Sequence, residues 1–200
     1  MKLTKREENV QLFNRWAKTY DAPLLRFWMK GFHKVALRII KNKESKVLDI
    51  SCGSGELLRE LAKRKFKKLY GVDIAPKMLD VAGRKLPSFV KFQEADVHAL
   101  PFPHGMFDYV ISTEAFHHYD KQKEALQEMK RVTHKNGYII VADINFFFHF
   151  IHFLFEKLEP GCVKVNSKKQ IRRIFDEVGL KIIEQKRTFL FAITTVGVVR

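Results

Sequence analysis

The chain has 200 residues, 46% of them hydrophobic and 18 of them Phe, which suits one domain with a sizeable core and excludes a disordered polypeptide. Lys and Arg number 37 against 22 Asp and Glu, giving +15, and the excess is spread over 41–46, 63–68, 168–173 and 181–187 with no cationic tail. Such a surface is either simply solvated or attracts an anionic partner, nucleic acid or membrane. Cys52 and Cys162 alone make neither a disulfide framework nor a Cys-x-x-Cys pair, so a reducing cytoplasm and no metal centre are expected.

The first ten residues are charged and carry no apolar signal core. Phe13, Trp16, Ala17 and Tyr20 recur at helical spacing and predict one apolar face, broken by Asp21-Ala22-Pro23. A second helix is expected over 24–40, with Leu25, Trp28, Met29, Phe32, Val35, Ala36 and Ile39 on its buried side. From residue 47 the pattern alternates between strand and helix. Strands are expected at 47–50, 68–72, 89–93, 107–112 and 138–143, and helices at 55–64, 76–85 and 121–132, the last stopped by Asn136-Gly137. The run from Phe146 to Phe155 is interrupted by His149 and His152 and is too short for a bilayer, which takes about 20 residues. Ser167-Lys168-Lys169-Gln170 reads as a capping box opening a helix to Val178, with Gly179 as its stop. Two strands close the chain, 180–184 and 189–199.

Alternation of strand and helix requires parallel strands with right-handed crossovers. The last two strands are joined by 185–188, too short for a helix, so they must pair antiparallel. The expected fold is α/β: a Rossmann-like, mostly parallel sheet with one antiparallel strand and helices on both faces.

Val47-Leu48-Asp49-Ile50-Ser51-Cys52-Gly53-Ser54-Gly55-Glu56 reads as a buried strand, a small-residue loop and a helix N-terminus. That platform suits an adenosine-bearing ligand, with Gly53 and Gly55 admitting close approach and positive φ. Asp73 ends the second strand, placed to accept bonds from ribose hydroxyls. Asp96-Val97 follows the third, an acid for an exocyclic amine beside an apolar cover for a ring. Ser112 ends the fourth, before Thr113-Glu114-Ala115-Phe116-His117-His118-Tyr119. All four lie at the carboxyl edge of the sheet, where ligands of such folds bind. Leu58 stands where a dinucleotide fingerprint has its third glycine, which argues against NAD, and no Gly-Lys-Ser/Thr follows to make a P-loop.

These motifs, with Gly71-Val72-Asp73-Ile74-Ala75-Pro76-Lys77-Met78-Leu79, Ala95 to Phe102, Phe107 to Ser112 and Glu128 to Asp143, resemble the class I S-adenosylmethionine-dependent methyltransferases. The segment Phe13 to Asp21 resembles the branch that holds the ubiquinone/menaquinone biosynthesis methyltransferases. The resemblance implies a seven-stranded sheet with a reversed last strand and S-adenosylmethionine as cofactor. It puts Asp49 and the Ser51–Gly55 loop at the methionine end, Asp73 at the ribose and Asp96-Val97 at the adenine, with Ile74 and Met78 also expected to bind the cofactor. Tyr20 is expected to close over the cofactor and Ser112 to border it. Ser51 departs from the family's usual Gly, and Lys135-Asn136-Gly137 from its common Pro-Gly-Gly. The chain then divides into a helical cap (1–45), a cofactor-binding core (46–143), a substrate lid (144–166) and a closing helix and strand pair (167–200).

Transfer from a sulfonium needs alignment and exclusion of water, and a base only if the acceptor loses a proton. His117 and then His118 are the candidate bases, and Asp143 a weaker candidate for orienting the acceptor. The Phe-rich run at 146–155 falls in the lid and is expected either to pack beneath it or to line a site for an apolar, quinol- or lipid-like acceptor, docked at an anionic membrane. An RNA methyltransferase and a non-catalytic adapter of the same fold are the rival readings; no Asn/Asp-Pro-Pro-Tyr/Phe signature follows the fourth strand.

Overall fold

A computed structural model of the protein describes residues 3–189 and 191–200. A seven-stranded sheet runs in the order β3-β2-β1-β4-β5-β7-β6. Its strands are β1 (Val47–Ile50), β2 (Leu69–Asp73), β3 (Lys91–Glu94), β4 (Phe107–Thr113), β5 (Thr133–Ile144), β6 (Lys181–Phe189) and β7 (Ala192–Val198). The first five pair parallel, and β7 lies antiparallel between β5 and β6. The strand order reverses between β1 and β4, which opens a crevice at their carboxyl ends.

Alternate side chains of the strands feed two cores. Leu48, Ile50 and Val110 pack beneath α5 (Gln122–Val132) and α7 (Lys168–Glu177), against Leu126, Met129, Ile171 and Phe175. Val47, Tyr109 and Ile111 face the other way, against Val35 and Ala36 of α2 (Pro23–Ile39), Leu58 and Leu61 of α3 (Glu56–Lys63) and Ala82 of α4 (Pro76–Lys85). Leu48, Leu58 and Leu61 are fully buried, and truncating any one to Ala would cost about 2–5 kcal/mol. Phe32, Ala142, Ile144, Cys162 and Val165 extend this packing past the end of β5. On α2, Met29, Phe32, Val35 and Ala36 are buried as expected, while the side chains of Leu25 and Trp28 fall outside the described residues.

Several boundaries differ from expectation for identifiable reasons. The first helix, α1 (Lys5–Trp16), begins within the charged N-terminus and is opened by a capping box. Glu7 N–H donates to Thr4 Oγ1, and the Glu7 carboxylate accepts from Thr4 N–H at 2.8 Å. It stops at Trp16, so Tyr20 lies in a turn and not on a continuous helical face. Pro23 disfavours helical backbone at the residue before it and opens α2 itself. Phe13, Trp16 and Tyr20 still gather, around Ala17, Ala75 and Met78.

Helix α5 ends at Val132 as expected, but the stop is at Thr133, whose Oγ1 donates back to Met129 O at 2.7 Å, and not at Asn136-Gly137. Asn136 instead takes φ 65° inside a bulge of β5, opposite a register shift between Phe107 and Tyr109. The strands β6 and β7 run through the expected connection at 185–188, β6 extending to Phe189 and β7 beginning at Ala192. The capping box of α7 forms as expected, with Ser167 Oγ accepting from Gln170 N–H.

Helix α6 (His149–Leu158) carries the Phe-rich run. Among the described side chains of the run His152 is buried and Phe146, Ile151 and Phe155 are partly buried; Phe146 N–H donates to His152 Nε2 at 3.0 Å. Phe147, Phe148, Phe150, Phe153, Leu154 and Leu158 are exposed, Phe150 by 69%, so the run is not a buried helix. Among the described residues no helix is long and apolar enough to cross a membrane.

Candidate functional site

The loop after β1 turns back on itself through positive φ at Ser51 (54°), Gly53 (52°) and Gly55 (80°). Cys52 N–H donates to Val72 O and Gly53 N–H to Asp73 Oδ2, at 2.9 and 2.8 Å, which ties the loop to the end of β2. Asp73 Oδ1 also accepts Ala75 N–H at 2.9 Å. Burial pushes the Asp73 carboxyl up to about 6, against the lowering effect of these backbone bonds. The loop thus delivers a dry carboxylate, already held by two amides, to the floor of the crevice.

That crevice holds a cleft of about 300 Å³. Of the expected site residues, Tyr20, Ser51, Gly53, Asp73, Ile74, Met78, Asp96, Val97 and His118 line it. Asp49 borders a smaller recess behind the loop, shared with Tyr20, Ser51 and Gly53. Its Oδ1 is buried with no hydrogen-bond partner among the described residues, and burial followed by the Asp73 charge holds its carboxyl well above the usual range.

Two expected contacts lie elsewhere. Gly55 packs against helix α4, where a Cβ would meet Leu86 Cδ1 at 3.0 Å, so its glycine serves the turn and the packing. Ser112 is fully buried behind the cleft, its Oγ 3.0 Å from Tyr119 Oη; the same phenol oxygen lies 2.9 Å from Ser51 Oγ. Asp96 faces the cleft with its carboxylate already engaged. Oδ1 accepts His98 N–H at 2.9 Å and lies 2.7 Å from His98 Nδ1, and Oδ2 pairs with Arg6 Nε at 2.8 Å. Burial would raise its pKa, but the His98 bonds and the neighbouring cations hold it below the usual carboxylate range.

A second cavity of about 320 Å³ adjoins the first and shares Phe13, Tyr20, Glu114 and His118 with it. Phe13, Trp16 and Met29 make its apolar part; His117, His118 and Glu159 make its polar end. His117 Nδ1 lies 2.6 Å from Asp143 Oδ1, with both side chains buried. Burial opposes a charge on His117, but Asp143 outweighs it and raises the imidazole above its ordinary value. Burial and then the His117 charge push His118 down to about 3.

The sequence reading missed the contribution of α1, whose Lys5, Arg6 and Asn9 roof the cleft, and also Met29, Glu114 and Glu159. Asn9 Nδ2 fastens the roof by donating to Gly161 O at 3.2 Å. Thr4-Lys5-Arg6-Glu7 carries a capping-box signature that would have located this helix. Glu159 and Glu114 have no such local signal.

The model of a methyltransferase domain matches residues 48–141. An uncharacterized methyltransferase of Bacillus velezensis is 31% identical over 147 residues, 70% of this chain and 68% of that one. The chain belongs to the class I S-adenosylmethionine-dependent methyltransferases. A ubiquinone/menaquinone biosynthesis C-methyltransferase of Campylobacter jejuni is 29% identical over 154 residues, covering 70% of this methyltransferase and 65% of that one. In fold, the methyltransferase is similar to a chain of the complex between the Haloferax volcanii Trm112 methyltransferase activator and a methyltransferase. That match has a TM-score of 0.82 at 24% identity and covers 98% of this chain and 97% of that one.

Proposed function

We propose that this methyltransferase carries a methyl group from S-adenosylmethionine in the first cavity to a small, apolar, quinol- or lipid-like acceptor in the second. The observation that carries the reading is the junction of two cavities of similar size at Tyr20, Glu114 and His118. The residues present fit the cofactor. Asp49, a buried carboxylate with an orphaned oxygen, suits the cationic methionine end. Asp73 keeps acceptor capacity for ribose hydroxyls beyond its two backbone bonds. Ile74, Met78 and Val97 cover the apolar faces of the nucleoside. Asp96 orders the adenine end through His98 and Arg6, its carboxylate reaching an amine only if those bonds are shared.

When bound, S-adenosylmethionine supplies a methyl carbon already activated by its sulfonium. The chain's work is then alignment and dryness. Tyr20 walls both cavities and keeps water from the path between them. Phe13, Trp16 and Met29 hold the apolar body of the acceptor. Where the acceptor must lose a proton, His117 receives it at Nε2, because Asp143 holds Nδ1.

The Campylobacter relative's named role in quinone biosynthesis supports an apolar acceptor. The exposed aromatic face of α6 supports delivery from an anionic bilayer: Lys157 Nζ lies 4.2 Å over the Phe153 ring and the Arg187 guanidinium 4.0 Å over Phe147. A protein partner on that face is the second reading, favoured by the likeness to the Trm112-bound chain. The test is a labelled-methyl transfer assay with prenylated and short-chain quinols, alongside flotation on anionic and neutral vesicles. Transfer to a quinol with anionic-vesicle binding supports the reading. Salt-dependent labelling of RNA with no quinol product would move the acceptor to nucleic acid.

A further inference from the structure

We propose that His117, His118 and Glu159 bind one divalent transition-metal ion at the polar end of the second cavity. Each offers a ligand atom, and the three atoms lie within 4.8 Å of one another. Their sources in the fold are independent: the histidines form the 3₁₀ turn Phe116–His118 after β4, and Glu159 caps the end of α6. Geometry excludes Nδ1 of His117, which Asp143 occupies, and so presents Nε2.

The second observation is the hydrogen-bond census. His117 Nε2 and His118 Nδ1 are both buried without a partner among the described residues, and His117 is 1% exposed. A buried polar atom left unpaired loses its hydration with nothing in return, so two on adjacent residues in a cluster with a carboxylate call for a shared ligand. The Asp143–His117 contact is the carboxylate-to-imidazole bond that fixes tautomer and ring direction in metal-binding histidines.

Two imidazoles and a single carboxylate suit zinc, cobalt or ferrous iron and disfavour magnesium and calcium, which require oxygen-rich shells. Three protein ligands leave coordination positions open toward Phe13, Trp16 and Met29. An acceptor hydroxyl or enol bound there would have its pKa lowered by the ion, which would replace His117 as the activating group. The proposal rests on the reading above only for the acceptor's place in this cavity.

The experiment is titration of the chelator-treated full chain with cobalt or zinc alone, followed by calorimetry and, for cobalt, visible absorption. One equivalent is expected to bind. His118→Ala and Glu159→Gln should each weaken binding tenfold or more, and Asp143→Asn by about 10–100-fold. His104→Ala, on an exposed loop, should leave it unchanged. Far-ultraviolet circular dichroism checks that each variant is folded. Absence of one-to-one binding by wild type, or equal affinity in both His118→Ala and Glu159→Gln, overturns the proposal. Asp73→Ala separates the two ideas: it should impair S-adenosylmethionine binding and spare cobalt binding. Cobalt binding by a wild-type chain that takes no S-adenosylmethionine would sustain the metal site and sink the two-cavity reading.

Discussion

His117 Nδ1 stands 2.6 Å from Asp143 Oδ1, and the two side chains are 1% and 2% exposed. A contact this dry carries charge assistance that an exposed pair lacks. Asp143→Ala would leave the ring N–H unpaired inside the protein. We expect a loss of about 3–5 kcal/mol in urea unfolding, the scale for removing one partner of a buried pair. Asp143→Asn retains an acceptor and should lose about 1–2 kcal/mol. Equal stability of the alanine variant and wild type would show that the pair is not formed.

Asp73 predicts both an affinity and its pH dependence. Removing the carboxylate in Asp73→Ala should weaken S-adenosylmethionine binding by at least about 1.5 kcal/mol, the scale of charge-assisted bonds. Burial holds this group at about 6 against an ordinary 3.8. The ionised form is the better acceptor for ribose hydroxyls, so affinity should climb as pH rises through about 6 and level off above it. The folding contribution runs the other way: stability from the raised pKa is present below 3.8 and gone above about 6. Calorimetric titrations between pH 5 and 8 measure the affinity arm; a flat profile would remove Asp73 from the ribose.

Gly71 tests the core behind the loop. It sits in β2 opposite Asp49, and a Cβ there would meet Cys52 Sγ and Leu58 Cδ1 at 2.8 Å and Phe92 Cδ1 at 2.9 Å. Gly71→Ala should therefore destabilise by about 1–3 kcal/mol through overpacking. Gly83 has open space around its missing side chain. Gly83→Ala, in helix α4, should instead stabilise by about 0.5–1 kcal/mol. Thermal denaturation of the pair reads both signs at once.

The roof over the cleft depends on a local cap. Thr4→Ala removes the side-chain half of the box and should cost helix α1 about 1 kcal/mol. Global unfolding should barely change, because α1 buries few residues, Asn9 and Leu12 among them. Amide exchange across residues 5–16 should quicken, and S-adenosylmethionine should restore part of the protection. No change in exchange would mean that tertiary contacts alone hold the helix.

The sheet was legible because its strands are short apolar runs bounded by small or charged residues, and because the acids Asp49, Asp73 and Asp96 fall at or just past strand ends. The pairing of His117 with Asp143 was not. It depends on the register that sets Ser112 beside Val141 and Thr113 beside Ala142, so that the chain leaving β4 returns over the end of β5. No local pattern encodes that neighbourhood. The exposure of α6 was equally hidden, since a helix apolar on every side reads as buried. Only its packing reveals that Phe146, His152 and Phe155 take the inward positions and leave the other rings outside. Gly55 and Ser112 share a loop and a strand end with residues that line the cleft, but stand one step further round the turn and along the pleat.

Tyr20 borders the cleft, the recess beside Asp49 and the second cavity alike. Its ring also rests against the loop, 3.4 Å from where a Cβ on Gly53 would stand. On the proposed assignment, donor and acceptor would both abut one phenol. If a tenant on either side sets the ring's position, the other side inherits a changed room. The resulting coupling is reciprocal: whatever factor the donor adds to the acceptor's affinity, the acceptor returns to the donor. On that assignment Tyr20 would tie the affinities of the two sites to the position of one side chain.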